Sequence, residues 1–270
     1  MSHSNTVGEH SYTDIIVRHE GQVSWVYFNR PQAMNAMAVS TVREMRHAFL
    51  ALGQRDDTRV VVLSGKGRAF CAGADLTSAL PSNDGPSAEP SFLDEATAME
   101  NALTGLKKPV IAAVNGVCCA GGLEVALMCD FIIASDNAKL GDAHANFGAL
   151  PGGGTTARLA RVVGPNMARF IFLTGVLLPA AQMQQIGMVS VVTSPEALES
   201  TVQEIANNMT TKSPLGLRHM KSLINAAFDH PLSSAIQLEK LTSTVYMGSH
   251  DAAEGGRAFA EKRSPQFKGY

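Results

Sequence analysis

The chain has 270 residues, of which 45% are apolar and 17% charged, and its net charge is −2. This length and composition suit one large domain, or one domain with a smaller appendage, and are not typical of a disordered protein. The near-neutral charge argues against a nucleic-acid-binding face. No apolar run approaches the ~18 residues that span a bilayer. We therefore predict neither nucleic acid nor membrane as a partner.

The N-terminus and the cysteines indicate the cellular compartment. The first dozen residues are polar and lack the apolar segment of a secretory signal. The cysteines form no CxxC pair and no spacing typical of a disulfide framework, so we expect reduced thiols and a cytoplasmic location. They are Cys71, Cys118, Cys119 and Cys129.

The first third of the sequence predicts strands followed by helices. Residues 14–18 and 22–28 are β-prone runs that flank a Glu-Gly pair, which is typical of a hairpin. A helix is expected from about Val39, where apolar residues recur at helical spacing. Residues 60–64 (VVVLS) predict a strand that is buried on both faces, and residues 92–106 predict a second helix.

The segment 81–90 (PSNDGPSAEP) separates these elements. Three prolines and a glycine exclude regular structure there. Its composition fits a mobile surface loop near a site and a neutral insertion equally well.

The stretch 108–130 carries the strongest functional signal. It predicts a buried strand at 110–114, a glycine-bearing loop at 115–122 and a short apolar helix at 123–129. Glu124 stands at the start of this helix, and a carboxylate is seldom buried unless it is paired or functional. The preceding glycines leave backbone N–H groups free at a helix N-terminus, which suits a developing negative charge.

The rest of the chain becomes increasingly helical. A short strand at 131–134 and a glycine-rich loop at 140–154 precede several helices, and the last strand is expected at 189–192. Three helical patterns and no strand signals follow. The order of elements predicts an α/β or ββα fold, with an α/β part at 1–195 and a helical part at 196–270.

Two loops that follow buried strands are candidates for one site. Residues 69–75 (AFCAGAD) follow the VVVLS strand, and their small side chains let backbone approach a ligand. Alone, this loop is more typical of a plain turn. Together with Gly121 and Gly122 it could supply two N–H groups to one oxygen, which is the arrangement of an oxyanion hole.

His144 is a further candidate for acid–base chemistry, because histidine titrates near neutral pH. A lone loop histidine is, however, more often structural. Asp142 and His144 are too few ligands to predict a metal site. No HExxH, P-loop, GxSxG or GxGxxG motif occurs, which argues against zinc proteases, NTPases, serine hydrolases and dinucleotide-binding proteins.

Several stretches, taken together and in order, resemble the crotonase superfamily of enoyl-CoA hydratases and isomerases. They are NRPQAMNAM, VVVLSGKGRAFCAGADL, KPVIAAVNGVCCAGGLEVALMCDFIIAS, GALPGGGTTARLARVVG and AFAEKRSPQFK, and they cover nearly the whole chain. The resemblance implies a ββα spiral at 1–195 that binds acyl-CoA. It also implies a helical region at 196–270 that forms a homotrimer, often as a dimer of trimers. The substrate would be an acyl-CoA thioester, and no cofactor is implied, since coenzyme A is part of the substrate.

The resemblance also assigns roles to particular residues. The backbone N–H groups of Ala74 and Gly121 would hold the thioester oxygen and stabilise an enolate. Glu124 would activate or position water, and the N–H of Gly152 would help to hold that water. The position of the family's second glutamate is occupied by His144. Residues expected to contact the substrate are Ala33, Ala72, Asp75, Leu76, Thr77 and Lys262.

The histidine leaves the reaction open. We expect a hydratase-like lyase in which Glu124 and His144 share the proton transfers. A double-bond isomerase and a hydrolase of a β-dicarbonyl C–C bond are the alternatives, and in the latter Asp142 would orient His144. A non-catalytic member that binds acyl-CoA or RNA is less favoured, because Glu124 is retained and the charge is near neutral.

Overall fold

The computed structural model describes residues 6–7, 10–79 and 90–270. Apart from its last residue, the loop predicted at 81–90 lies outside the described residues. Within the described ranges, no helix is long and apolar enough to cross a membrane.

Strands and helices alternate along the chain. The strands are β1 Thr6–Val7, β2 His10–Ser11, β3 Ile15–Glu20, β4 Val23–Phe28, β5 Val60–Gly65, β6 Ala69–Cys71, β7 Val110–Val114, β8 Val117–Cys119, β9 Phe131–Ser135, β10 Lys139–Gly141, β11 Leu177–Pro179 and β12 Val191–Thr193. The α-helices are α1 Val39–Gln54, α2 Leu76–Ala79, α3 Phe92–Thr104, α4 Gly121–Met128, α5 Thr155–Val163, α6 Pro165–Thr174, α7 Ala180–Gln185, α8 Leu198–Thr210, α9 Pro214–Ala227, α10 Leu232–Met247 and α11 His250–Ala260. Short 3-10 helices lie at Pro31–Ala33 and His144–Phe147.

The larger sheet has the strand order β12-β9-β7-β5-β4-β3, and β3 runs antiparallel to its neighbour while the other pairs are parallel. The pair β3–β4 is the predicted opening hairpin. The apolar runs of β5 and β7 are buried throughout, as expected for parallel strands covered on both faces. The carboxyl ends of β5 and β7 lie side by side, so the loops that follow them start at one edge.

A smaller sheet contains β11, β10, β8 and β6 in that order. Each turn of the chain gives one strand to the larger sheet and the next to the smaller sheet, and helices follow: β5 then β6, β7 then β8, β9 then β10. This is the predicted α/β spiral of ββα turns. Stretches that the sequence predicts to be loops contain β6, β8 and β10, because strands of three residues are too short to show a periodic pattern.

Two apolar layers cover the faces of the larger sheet. On one face, Phe28 and Phe49 are fully buried in the main core between the sheet and helices α1, α3 and α4. On the other face, Trp25 packs with Val202 of α8, and the Trp25 Nε1–H donates to Oε1 of Gln203 at 2.6 Å. The predicted division at residue 195 therefore falls just before a helix that covers the sheet.

The C-terminal region has one helix more than the sequence predicts. α11 (HDAAEGGRAFA) lacks a clear apolar pattern and contains two glycines, which disfavour a helix. It is fixed by the buried Asp251, whose carboxylate accepts hydrogen bonds from the Ser213 hydroxyl and the backbone of Lys268 and Gly269. α9, α10 and the turn between them expose many large apolar side chains: Met220, Ile224, Phe228, Leu232, Leu241, Val245 and Met247.

Gly122 gives a test of how tightly the turns of the spiral pack. A Cβ at this position would come much closer to the Cys71 carbonyl oxygen on β6 than van der Waals contact allows. We expect Gly122→Ala to lower the free energy of unfolding by about 3 kcal/mol, because β6 is fixed in the smaller sheet and cannot yield. Gly256→Ala is the control, since Gly256 lies in α11 with open space around it. Urea denaturation followed by circular dichroism measures both, and equal midpoints would contradict this packing.

Candidate active site

Glu124 lies in the first turn of α4, as the sequence predicts, and its side chain is buried (the residue is 9% exposed). One carboxylate oxygen, Oε1, accepts three hydrogen bonds. The donors are the backbone N–H groups of Gly152 (3.2 Å) and Gly153 (2.9 Å) and the hydroxyl of Thr155 (2.9 Å). These bonds satisfy a carboxylate that would otherwise be costly to bury.

The second oxygen of Glu124, Oε2, accepts no hydrogen bond from the residues that the structure describes. One oxygen is therefore anchored, and the other is available to water or to a substrate. The amide of Gly152, predicted to help hold water, donates to the anchored oxygen in this structure.

The two loops predicted to form an oxyanion hole meet in the structure. The Ala74 nitrogen lies 3.5 Å from the position that a Cβ would take on Gly121, and the Gly121 nitrogen lies 3.5 Å from the Cβ position of Gly73. Neither amide donates to another group in the described part of the chain. Met37 aligns the first loop, because its N–H donates to the Gly73 carbonyl and its carbonyl accepts from Asp75 N–H, each at 2.8 Å.

The backbone before Gly121 is strained. Ala120 has φ 50° and ψ −124°, a conformation that residues with a Cβ rarely adopt. Gly73 across the gap has φ 114°, and a Cβ there would lie 3.0 Å from the Cβ of Ala120. The two loops can approach this closely only with glycine at position 73. Their approach also holds Ala120 in a backbone conformation of high energy.

His144 is fixed by Asp142. Its Nδ1 lies 2.7 Å from Oδ2 of Asp142, and its backbone N–H donates to Oδ1 at 3.0 Å. Asp142 is only 1% exposed. The hydrogen bond to Asp142 is the main cause that raises the pKa of His144; burial opposes it, and the charge of Glu124 adds to it. The other ring nitrogen, Nε2, is left for a second partner.

Glu100 is a site residue that the sequence does not predict. Its Oε1 lies 2.5 Å from the Cβ position of Gly153, and Oε2 of Glu124 lies 3.1 Å from the same position. Burial, followed by the charge of Glu124, raises the pKa of Glu100 to about 7, and Arg158 opposes this change. In the sequence Glu100 is one of three acidic residues of an amphipathic helix, and its spacing does not distinguish it from the other two.

The predicted substrate-contacting segment at residues 72–77 lies beside the two free amides. Asp75 is bound by Arg30 (Nη2–Oδ2 2.8 Å) and by the Thr77 hydroxyl (2.6 Å). The hydrogen bond from Thr77, then that from Arg30, lowers the pKa of Asp75. Asp75 therefore holds the segment in place, and Ala33 ends the 3-10 helix that precedes Met34, whose carbonyl accepts from the N–H of residue 72.

Two other predicted contacts lie at exposed positions. Leu76, the first residue of α2, is 47% exposed. Lys262 follows α11 with a left-handed backbone (φ 53°). Across the described ranges, no hydrogen bond or ion pair joins its side chain to the other predicted site residues. The structure thus groups Glu124, the two amides, His144 and Glu100, and leaves Lys262 apart. No set of three or more His, Cys, Asp and Glu among the described residues is placed to hold a metal ion.

The site thus combines a buried carboxylate with two backbone amides that are free among the described residues, on a ββα spiral. Residues 18–270 match the model of the enoyl-CoA hydratase/isomerase family. A crotonyl-CoA hydratase of Syntrophomonas wolfei is 34% identical over 95% of this chain and 98% of its own length. A short-chain-enoyl-CoA hydratase of Clostridium acetobutylicum is 34% identical over 93% and 95%.

Solved structures agree with the match. An enoyl-CoA hydratase from Bacillus anthracis superposes with a TM-score of 0.90 at 32% identity, covering 96% of this chain and 100% of that one. The chain belongs to the enoyl-CoA hydratase/isomerase family. The resemblance found in the sequence and the crotonase-like α/β fold that it implies are both confirmed.

The hydrogen bond between Asp142 and His144 can be tested through the pKa of His144. We expect Asp142→Asn to lower the pKa of His144, because it removes the acceptor that favours the imidazolium. Because the folded-state pKa of His144 is raised, its stabilising effect is complete below the unfolded value of about 6.5 and is lost as the pH rises through the folded pKa. NMR titration of the imidazole proton measures the shift. Asp229→Asn, at an exposed residue, is the control; an equal change in both variants would exclude a specific pair.

Proposed function

We propose that this enzyme adds water to the double bond of a 2-enoyl-CoA thioester, and removes it in reverse. The observation that carries the proposal is the Glu124 carboxylate, which has one anchored and one free oxygen and lies on the same helix as Gly121, whose loop meets that of Ala74. The relatives, a crotonyl-CoA hydratase of Syntrophomonas wolfei among them, support the same reaction. No cofactor beyond the coenzyme A of the substrate is needed.

The reaction follows from this geometry. The thioester carbonyl oxygen accepts hydrogen bonds from the N–H groups of Ala74 and Gly121. Water bonds to the β-carbon while one of its protons passes to Oε2 of Glu124. The electron pair of the Cα–Cβ double bond forms a double bond between the α-carbon and the carbonyl carbon, and the carbonyl π pair moves to the oxygen, which gives an enolate. When the carbonyl forms again, the α-carbon takes up a proton, which balances the proton given to Glu124.

His144 is the proposed partner of Glu124 in these proton transfers. Asp142 holds Nδ1 and raises the pKa of His144, which favours the protonated ring. A proton on Nε2 could serve the α-carbon or the bound water, as the second glutamate of the family's hydratases does. The two residues approach the substrate from α4 and from the loop after β10.

A second candidate reaction is favoured by the same histidine. The Asp142–His144 pair has the form of a base with its orienting carboxylate, which suits activation of water against a β-dicarbonyl carbon. A double-bond isomerase needs only one of the two groups. Mass spectrometry of the products separates the three reactions: hydration adds the mass of water, isomerisation leaves the mass unchanged, and C–C cleavage releases an acid.

We further propose that residues 196–270 assemble the chain into a homotrimer or a dimer of trimers. The exposed apolar side chains of α9 and α10 support this, because isolated chains seldom expose so many neighbouring large apolar groups. Lys262 would then reach coenzyme A on a neighbouring subunit. The four free thiols support a reducing, cytoplasmic location.

Substitution of Glu124 tests the main proposal. We expect Glu124→Gln to lower kcat about 10³-fold on a short-chain 2-enoyl-CoA, because the amide cannot take a proton from water. Loss of the enoyl-thioester absorbance and the mass of the product measure the reaction. Glu204→Gln, at an exposed position of α8, is the matched control. Full activity of Glu124→Gln would rule out the mechanism.

Light scattering tests the assembly. The mass of wild-type protein should be three or six times that of the 28.6-kDa chain. Leu241→Asp places a charge within the apolar surface of α10 and should shift the mass toward the monomer. Ser243→Asp, on another side of the same helix, serves as the control. A wild-type monomer would refute the proposed assembly.

A further inference from the structure

A second carboxyl group faces Glu124 from α3. Oε1 of Glu100 and Oε2 of Glu124 lie 2.5 Å and 3.1 Å from the same point, the Cβ position of Gly153. The two side chains therefore share the space beside one glycine. Oε2 is also the oxygen that Gly152, Gly153 and Thr155 leave free. Glu100 Oε1 and the free oxygen of Glu124 thus face the same point beside Gly153.

The acidic residues of α3 differ in their partners. On the same helix, Asp94 takes part in the capping box, and the buried Glu95 is bound by Arg43 and Arg46. The Glu100 carboxyl group, in contrast, forms no hydrogen bond or ion pair with the described residues. A half-buried carboxylate that lacks a partner and faces a like charge is unfavourable, and protonation relieves that cost.

The surrounding charges favour the neutral form of Glu100. α4 contributes Glu124 and α5 contributes Arg158, whereas the two arginines on α1 are bound to Glu95. The described residues of α2 (LTSA) carry no charge. His144, on the loop after β10, interacts with the charge of Glu124. Burial and Glu124 together outweigh Arg158, so the pKa of Glu100 rises to about 7.

We propose that Glu100 is the second carboxyl group of this site: protonated, it donates a hydrogen bond toward the free oxygen of Glu124 and positions that oxygen and its water for hydration. The inference rests on the proposed function. The position of the family's second glutamate holds His144, so α3 supplies a carboxyl group that the loop after β10 lacks. Glu100 is a positioning residue, because it acts through Glu124.

This role makes activity depend on the proton of Glu100. Once Glu100 is ionised, it can no longer donate, and two carboxylates repel each other where an enolate must form. The kcat/KM of the wild-type enzyme should therefore fall as the pH rises through about 7. A glutamine at this position stays neutral at every pH and keeps a donor.

The experiment compares pH profiles of kcat/KM on a short-chain 2-enoyl-CoA from about pH 5.5 to about pH 9. In Glu100→Gln we expect activity within about threefold of wild type at low pH and no fall near pH 7, so the variant exceeds the wild type at high pH. Asp94→Asn removes the same charge from the exposed start of α3 and should keep the fall. Asp142→Asn identifies any contribution of His144 to the profile.

A second measurement does not depend on turnover. ¹³C NMR of labelled glutamate carboxyl carbons should show one resonance that titrates near pH 7 in wild type. This resonance should be absent from Glu100→Gln. In Glu124→Gln the midpoint of this titration should move to lower pH, because the neighbouring charge that raises the pKa of Glu100 is gone.

The outcomes distinguish failure of the role of Glu100 from failure of the proposed hydratase function. An unchanged pH profile in Glu100→Gln, or an equal loss at every pH, overturns the positioning role of Glu100. Failure of the proposed function differs: the wild-type enzyme forms no hydroxyacyl product, or Glu124→Gln keeps full activity. In that case the NMR titration still tests Glu100. If no glutamate resonance titrates near pH 7, the proposal that Glu100 holds a proton is overturned.

Discussion

Three hydrogen bonds to one oxygen of Glu124 are the interaction on which the site depends. Their donors lie 28, 29 and 31 residues further along the chain, so the glycine-rich loop must return to α4 to provide them. The loop can do so because Gly152 and Gly153 present backbone N–H groups with no side chains in the way. The same bonds that make the buried carboxylate tolerable also leave its other oxygen without a hydrogen-bond donor among the described residues.

The smaller sheet places the rest of the site. Three of its strands, β6, β8 and β10, run parallel, and each is followed at its carboxyl end by one component. Ala74 follows β6, Gly121 follows β8, and His144 follows β10. Successive turns of the spiral thus deliver the two amides and the histidine to one edge, in the same way that open parallel sheets bind ligands beyond the carboxyl ends of their strands.

The sequence predicts the larger part of this arrangement. Long apolar runs identify β5 and β7, and the glycines before Glu124 identify the oxyanion loop. The three-residue strands that position the site stay hidden inside predicted loops, because they carry too few residues for a pattern. Glu100 is hidden for another reason: its role depends on Glu124, on a different helix, and local spacing within α3 contains no trace of that contact. The packing of α3 against α4 and against the loop before α5 brings the two together.

The left-handed turn at Ala120 has a consequence for the motions of the enzyme. A residue in this conformation carries strain of about 1–3 kcal/mol that the packed native state must offset. Opening of the backbone just before Gly121 therefore releases this strain. Opening of β7, which is buried throughout, releases none. The free energy of local opening is lowest where opening breaks the fewest stabilising contacts. The turn at Ala120 is thus expected to exchange its amide protons with solvent sooner than β7 does.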